Sequence, residues 1–142
     1  MTSLSTTAQA AATGHPGYSE CMPRIPESAA AARLLVRTAL AAWGIENLTD
    51  DGELIVSEMV TNTVDHARGD AIRVIVTRPS EDTVQIAVVD KDKRRPQART
   101  AGADTEHGRG LFLVAAFAED WGVEPKPWGK LVWATLTSKE QR

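Results

Sequence analysis

Apolar positions recur at three- and four-residue spacings along parts of the chain and alternate with polar ones along others. From Pro26, residues Ala30, Leu34, Leu35, Ala39, Ala42 and Trp43 follow helical spacing. Pro26 suits a first helical turn and Gly44 a stop. A second helix opens at Thr49-Asp50-Asp51, where Asp50 and Glu53 have capping-box spacing. It runs to about Ala67 and is broken by Arg68-Gly69-Asp70. Its apolar stripe is Leu54, Ile55, Met59, Val60, Thr63, Val64 and Ala67.

Two strand-like runs follow, Ala71 to Thr77 and Thr83 to Asp90, with Arg78 to Asp82 as a hairpin loop. The stretch Lys91 to His107 is polar and has no hydrophobic period; loops of that length inside a compact domain are usually functional. A third helix starts at Gly108 to Gly110 and continues through Leu111, Val114, Ala115 and Ala118. The last strands span roughly Ala118 to Val123 and Leu131 to Thr137, around a turn at Pro125–Gly129. Before all of these, residues 1–17 are rich in Ala, Ser, Thr and Gly, and a disordered tail is expected there. A short extended piece is expected over Tyr18 to Arg24.

Consecutive strands joined by short turns pair antiparallel, so the order is not that of an alternating βαβ fold. The expected class is α/β of the α+β kind. It is a two-layer sandwich in which a mostly antiparallel mixed sheet carries helices on one face, in a single domain over residues 18–142. A length of 142 residues suits one such core. The formal net charge of -3 argues against a general nucleic-acid surface. The lone Cys21 excludes an internal disulfide framework. The longest apolar run, Leu111 to Ala118, is far short of the roughly 20 residues that span a bilayer. With no basic, apolar leader pattern at the N-terminus, the expected setting is cytoplasmic, without membrane or direct nucleic-acid contact.

Candidate chemistry gathers in three places. Glu58, Asn62 and His66 are spaced four apart on the second helix, about 6 Å per step along its axis. A carboxamide oxygen is a hard ligand for magnesium, and a carboxylate one turn away can take a proton from a hydroxyl or water. A solvent-facing row on an amphipathic helix explains the same spacing. Second, the apolar strand Val84 to Val89 ends in Asp90, an acceptor for an exocyclic amine such as that of adenine, or a solvated strand-end acid. Third, Gly108-Arg109-Gly110-Leu111 leads into an apolar helix. Backbone N–H groups and the helix dipole favour a phosphate there, and Arg109 adds a charged donor. An ordinary turn at the start of a helix is the alternative. Lys91, Lys93, Arg94, Arg95 and Arg99 make the preceding loop basic, fit for phosphates or an acidic partner, or for solvent alone.

Together and in this order, the three pieces resemble the histidine-kinase-like ATPase superfamily with its Bergerat-type nucleotide pocket. Glu58-Met-Val-Thr-Asn62-Thr-Val-Asp-His66-Ala67 resembles its N box. Val88-Val89-Asp90 followed by Pro96 resembles its first glycine box, and Gly108-Arg-Gly-Leu-Phe-Leu-Val114 its second. The small size and the closing Trp121-Gly122 and Gly129 to Ala134 resemble the stand-alone anti-sigma-factor serine/threonine kinase branch. The similarity covers roughly residues 24–138. The resemblance implies ATP and Mg²⁺ as cofactors, with Asn62 holding the metal and Glu58 acting as general base. It further implies Asp90 on the adenine amine, Gly108, Arg109, Gly110 and Leu111 at the phosphates, His66 as another nucleotide contact, and residues 91–107 as the ATP lid. The implied partners are a sigma factor, a small antagonist protein that accepts phosphate, and a second copy of the chain in a homodimer. A non-catalytic, ATP-responsive interaction module is the alternative function.

Overall fold

A computed structural model describes residues 7–10, 15–67, 69–91, 111–127 and 129–138 of the chain. The elements run β1 (Thr7–Ala10), β2 (Pro16–Pro23), α1 (Ser28–Trp43), a 3₁₀ turn (Glu46–Leu48), α2 (Thr49–His66), β3 (Ala71–Ser80), β4 (Thr83–Lys91), α3 (Phe112–Phe117), β5 (Asp120–Lys126) and β6 (Gly129–Thr137). The strands form one sheet in the order β1-β2-β3-β4-β6-β5, and every pairing is antiparallel. One face of the central strands supplies the core. Ile72, Val74 and Val76 of β3, Val84, Ile86 and Val88 of β4, and Val132, Ala134 and Leu136 of β6 all lie in the core. Helices α1 and α2 pack on each other and on that face, which gives the expected two-layer sandwich.

The helices seat themselves by shape. Ile55, Val56, Met59 and Val60 of α2 are fully buried. Gly52, one turn earlier, sits where a Cβ would lie 3.0 Å from Val36 Cγ1 and 3.5 Å from Leu40 Cδ1, so its bare backbone allows α1 and α2 to approach closely. Gly44 ends α1 in the left-handed region (φ 73°), as expected of a C-terminal glycine. On the outer side, Arg37 Nε donates to Glu53 Oε2 at 2.8 Å; that bond raises the Arg37 pKa above its ordinary value. Exposed as it is, the pair adds little to stability.

Several local expectations change. The Asp50–Glu53 capping box does not form: α2 begins directly from the 3₁₀ turn, its N-cap position is Leu48, and no side chain caps it. Asp50 and Asp51 instead occupy the first turn, where the helix dipole favours acids. The hairpin loop shrinks to Glu81-Asp82, with a register irregularity between Thr77 and Ser80 where Pro79 cannot donate to the ladder. In α1 the buried face is Ser28, Ala32, Leu35, Val36, Ala39 and Leu40, while Leu34 is 54% exposed. The many alanines of this helix make neighbouring faces look equally apolar in sequence. Residues 7–10 and 16–17, placed by composition in the tail, are strand here, with Thr7–Ala10 paired to Pro16–Ser19. The third helix begins at Phe112, and the strand after it runs Asp120–Lys126.

The close approach at Gly52 is open to test. An alanine gains about 1 kcal/mol of helix propensity, which offsets its contact with Val36. A leucine must displace packed side chains, at about 1–3 kcal/mol. Thermal unfolding should show Gly52→Ala near wild type and Gly52→Leu lower by about 3–5 °C per kcal/mol lost. Equal melting temperatures for Gly52→Leu and wild type would refute the tight crossing.

Candidate functional site

The candidate residues gather at one end of the sandwich. The C-terminal end of α2 joins the start of β3 through Ala67 to Asp70. Ile72, near the start of β3, pairs with Asp90 near the end of β4, and Asp90 pairs with Lys130 near the start of β6. Leu111, just before α3, is fully buried in the same core, and α3 packs on α2.

Asn62 is the unusual side chain. Helical spacing puts it in phase with Ile55 and Met59, so it points into the core rather than along a solvent-facing row, and it is 4% exposed. Its Oδ1 and Nδ2 are both buried without a hydrogen bond among the described residues. An amide left so is costly, by about 1–3 kcal/mol, and such a group in a native fold calls for a partner that binds there. Glu58, one turn earlier, and His66, one turn later, are half-buried at the edge of the same face, and His66 is already engaged. Thr63, also buried, turns its Oγ1 back to Met59 O at 2.8 Å and leaves the carboxamide alone.

Asp90 is likewise no solvated strand-end acid. Strand alternation turns it to the helix-covered face with Val88 and Ile86, and it is 2% exposed. The residue is engaged, yet its Oδ1 is buried without a hydrogen bond among the described residues. The Leu111 side chain belongs to the core, which anchors the start of α3 under α2. Gly108, Arg109 and Gly110, and the basic loop beyond Lys91, lie outside the described residues.

Two residues at this end escape a motif-based reading. Arg24 donates from Nη1 to Val64 O at 2.7 Å and from Nε to Gly69 O, while its backbone N–H reaches Asp70 O at 2.9 Å. Its guanidinium thus satisfies a carbonyl of the last turn of α2, at the negative end of the helix dipole, and fixes the turn that carries His66. No local sequence signal marks a contact across so long a separation. Lys130 is buried, 6% exposed, directly across from Asp90. It has a signal, since it shares the even-numbered phase of Val132, Ala134 and Leu136.

The arrangement brings a hard neutral oxygen, a nearby carboxylate and a buried acceptor to one end of the fold. That set suits a ligand with a metal-bound polyphosphate at one end and an amine-bearing base at the other. A family model, the histidine kinase-like ATPase domain, matches residues 22–136. No curated protein gives a significant match.

Asn62 should behave as a group kept for binding at the expense of stability. Asn62→Leu, of similar volume, removes the two buried polar atoms and should raise the melting temperature of the nucleotide-free protein, by about 1–3 kcal/mol in stability. A lower melting temperature would show that the carboxamide is satisfied within the fold.

Proposed function

The chain belongs to the histidine kinase-like ATPase domain family and is an ATP-binding protein; on that premise we propose that it is a serine/threonine kinase of the anti-sigma-factor kind. In this reading it phosphorylates a small antagonist protein and, in the alternative complex, sequesters a sigma factor, acting as a homodimer. The single observation that carries the site assignment is the buried carboxamide of Asn62, without a hydrogen bond among the described residues, with Glu58 one turn away.

The donor set fits Mg²⁺. That ion keeps several waters and takes most other ligands from phosphates, so one neutral side-chain oxygen, Asn62 Oδ1, is a sufficient protein contribution. When bound, it would neutralise charge on the phosphates. Asp90 would accept from the exocyclic amine of adenine, and the backbone of Gly108, Gly110 and Leu111 with Arg109 would hold the phosphates. Glu58, half-buried near Asn62, would take the proton of the acceptor serine hydroxyl as its oxygen bonds to the γ-phosphorus and ADP leaves. His66 would orient the phosphate end from one turn further on. Because phosphoryl transfer asks little covalent chemistry of the protein, positioning and electrostatics supply most of the acceleration.

The test separates binding from chemistry. ATP with Mg²⁺ at a hundred times its Kd should stabilise the wild type by about 2.7 kcal/mol, read as a higher melting temperature. Glu58→Gln should keep ATP affinity within a few fold and lower phosphate transfer to an antagonist protein by about 10²-fold or more. Asn62→Ala should weaken Mg²⁺-ATP and transfer together. Wild-type transfer by Glu58→Gln would remove Glu58 from the role of base. Stabilisation by ATP with no transfer to any antagonist would make the chain an ATP-responsive interaction module instead.

A further inference from the structure

When an antiparallel sheet carries helices on one face only, its other face is ordinarily polar. Here the middle of that outer face is apolar. Helices α1, α2 and α3 pack on the side of Val74, Ile86 and Ala134. The residues between these point the opposite way, and two register rows cross four strands there. Over β3, β4, β6 and β5 in turn, one row runs Arg73, Val89, Leu131, Glu124 and the next Ile75, Ala87, Trp133, Gly122. Ala87 and Val89 are 8% and 6% exposed, yet neither belongs to the core. Ile75, Leu131 and Trp133 are half-buried beside them. The Trp133 ring lies across Gly122, where an added Cβ would sit 2.8 Å from it.

Both rows are self-complementary. A two-fold axis parallel to the strands, between β4 and β6, keeps each row at its own height and exchanges its ends. Arg73 then faces the partner's Glu124, and Val89 faces the partner's Leu131. The broad Trp133 ring of one copy, lying over Gly122, falls on Ala87 and Ile75 of the other. Opposite charges meet, and the largest side chain meets one of the smallest. Each contact occurs twice, as an isologous interface requires. Sheets packed face to face lie about 10 Å apart with strands within about 30° of one another, a gap that two such apolar layers fill.

We infer that the outer face of the sheet is a self-association surface, on which a second copy of this chain docks through the Arg73-to-Glu124 and Ile75-to-Gly122 rows. The inference rests on the homodimer in the proposed function, whose contact it locates, and makes no use of the nucleotide site.

Arg73 and Glu124 supply the test. Within one chain they stand three strand spacings apart, about 14 Å. Arg73 Nη1 donates to Ser19 Oγ of β2 at 3.0 Å, on the side away from β5, and Glu124 Oε1 meets Lys126 Nζ at 3.2 Å. Neither contact exhausts a guanidinium with five donors or a carboxylate with about four acceptor sites.

Sedimentation equilibrium of the full chain, at low ionic strength where charges are little screened, should show a wild-type dimer. Arg73→Glu and Glu124→Arg should each weaken it by about tenfold or more, since each variant sets two like-charge contacts across the interface. An equimolar mixture of the two variants restores both opposite-charge contacts in the mixed dimer. Its dissociation constant should return to within about threefold of wild type. Neither side chain enters the core, so both variants should fold, and circular dichroism checks this. A merely structural role would not be rescued by mixing, so a mixture no tighter than the separate variants overturns the proposal. Variants that dimerise as the wild type does also overturn it, and place the homodimer contact elsewhere. A wild type that stays monomeric at its highest soluble concentration overturns both the surface and the homodimer, leaving the face to a different protein. Stabilisation by ATP is read separately on the same samples, so failure of the nucleotide reading is a distinct result.

Discussion

Gly52 has no side chain, and α2 therefore settles against Val36 and Leu40 of α1 while its next turns press Ile55, Val56, Met59 and Val60 into the sheet. That seating fixes the rotation of α2 about its axis. Once Ile55 and Met59 face the core, the residue seven positions after Ile55 must face it too, and that residue is Asn62. The buried carboxamide is thus a consequence of apolar packing one and two turns away. A helix rotated far enough to bring Asn62 to solvent would lift Met59 out of the core. The strong hydrophobic term holds the weak polar one in an unfavourable place.

The same logic applies across the sheet. In β4 and β6 the buried face is apolar over most of its length and turns polar only at its last pair, Asp90 with Lys130. The core ends there in charge rather than in hydrocarbon. Apolar side chains in those places would cost less desolvation. The buried ionisable side chains of the described residues, Asp90 and Lys130, both lie at the end of β4, the same end of the sandwich as Asn62. Arg24 adds to this concentration by tying the last turn of α2 to the start of β3.

Where the sequence was legible, one strong period governed the element. The strands from Ala71 and Thr83, and α2 from Thr49, read correctly because alternation or an amphipathic stripe left little choice. The N-box, Asp90 and Gly-Arg-Gly motifs pointed to the family, and the family match agrees. The spacing of Glu58, Asn62 and His66 does not fix their burial, because a four-residue step drifts by about 40° around a helix and the three share a broad side without sharing burial. The face of α1 is obscured by its alanines, and the Asp50 capping box by a 3₁₀ turn that leads straight into α2 at Thr49, so that Asp50 lies inside the helix. Arg24 was beyond reach because its partners depend on tertiary folding.

The chain leaves the sheet at Lys91, directly after Asp90, and returns at Leu111, whose side chain is locked in the core beneath α2. Both ends of the connection are therefore anchored at the polar end of the sandwich, one by the β4 ladder and one by hydrophobic burial. A ligand lying between Asp90 and Asn62 meets rigid elements on either side. The residues that would hold its base and its metal are set by the sheet and by α2, which are formed before any ligand arrives, so little ordering entropy is left for binding to overcome.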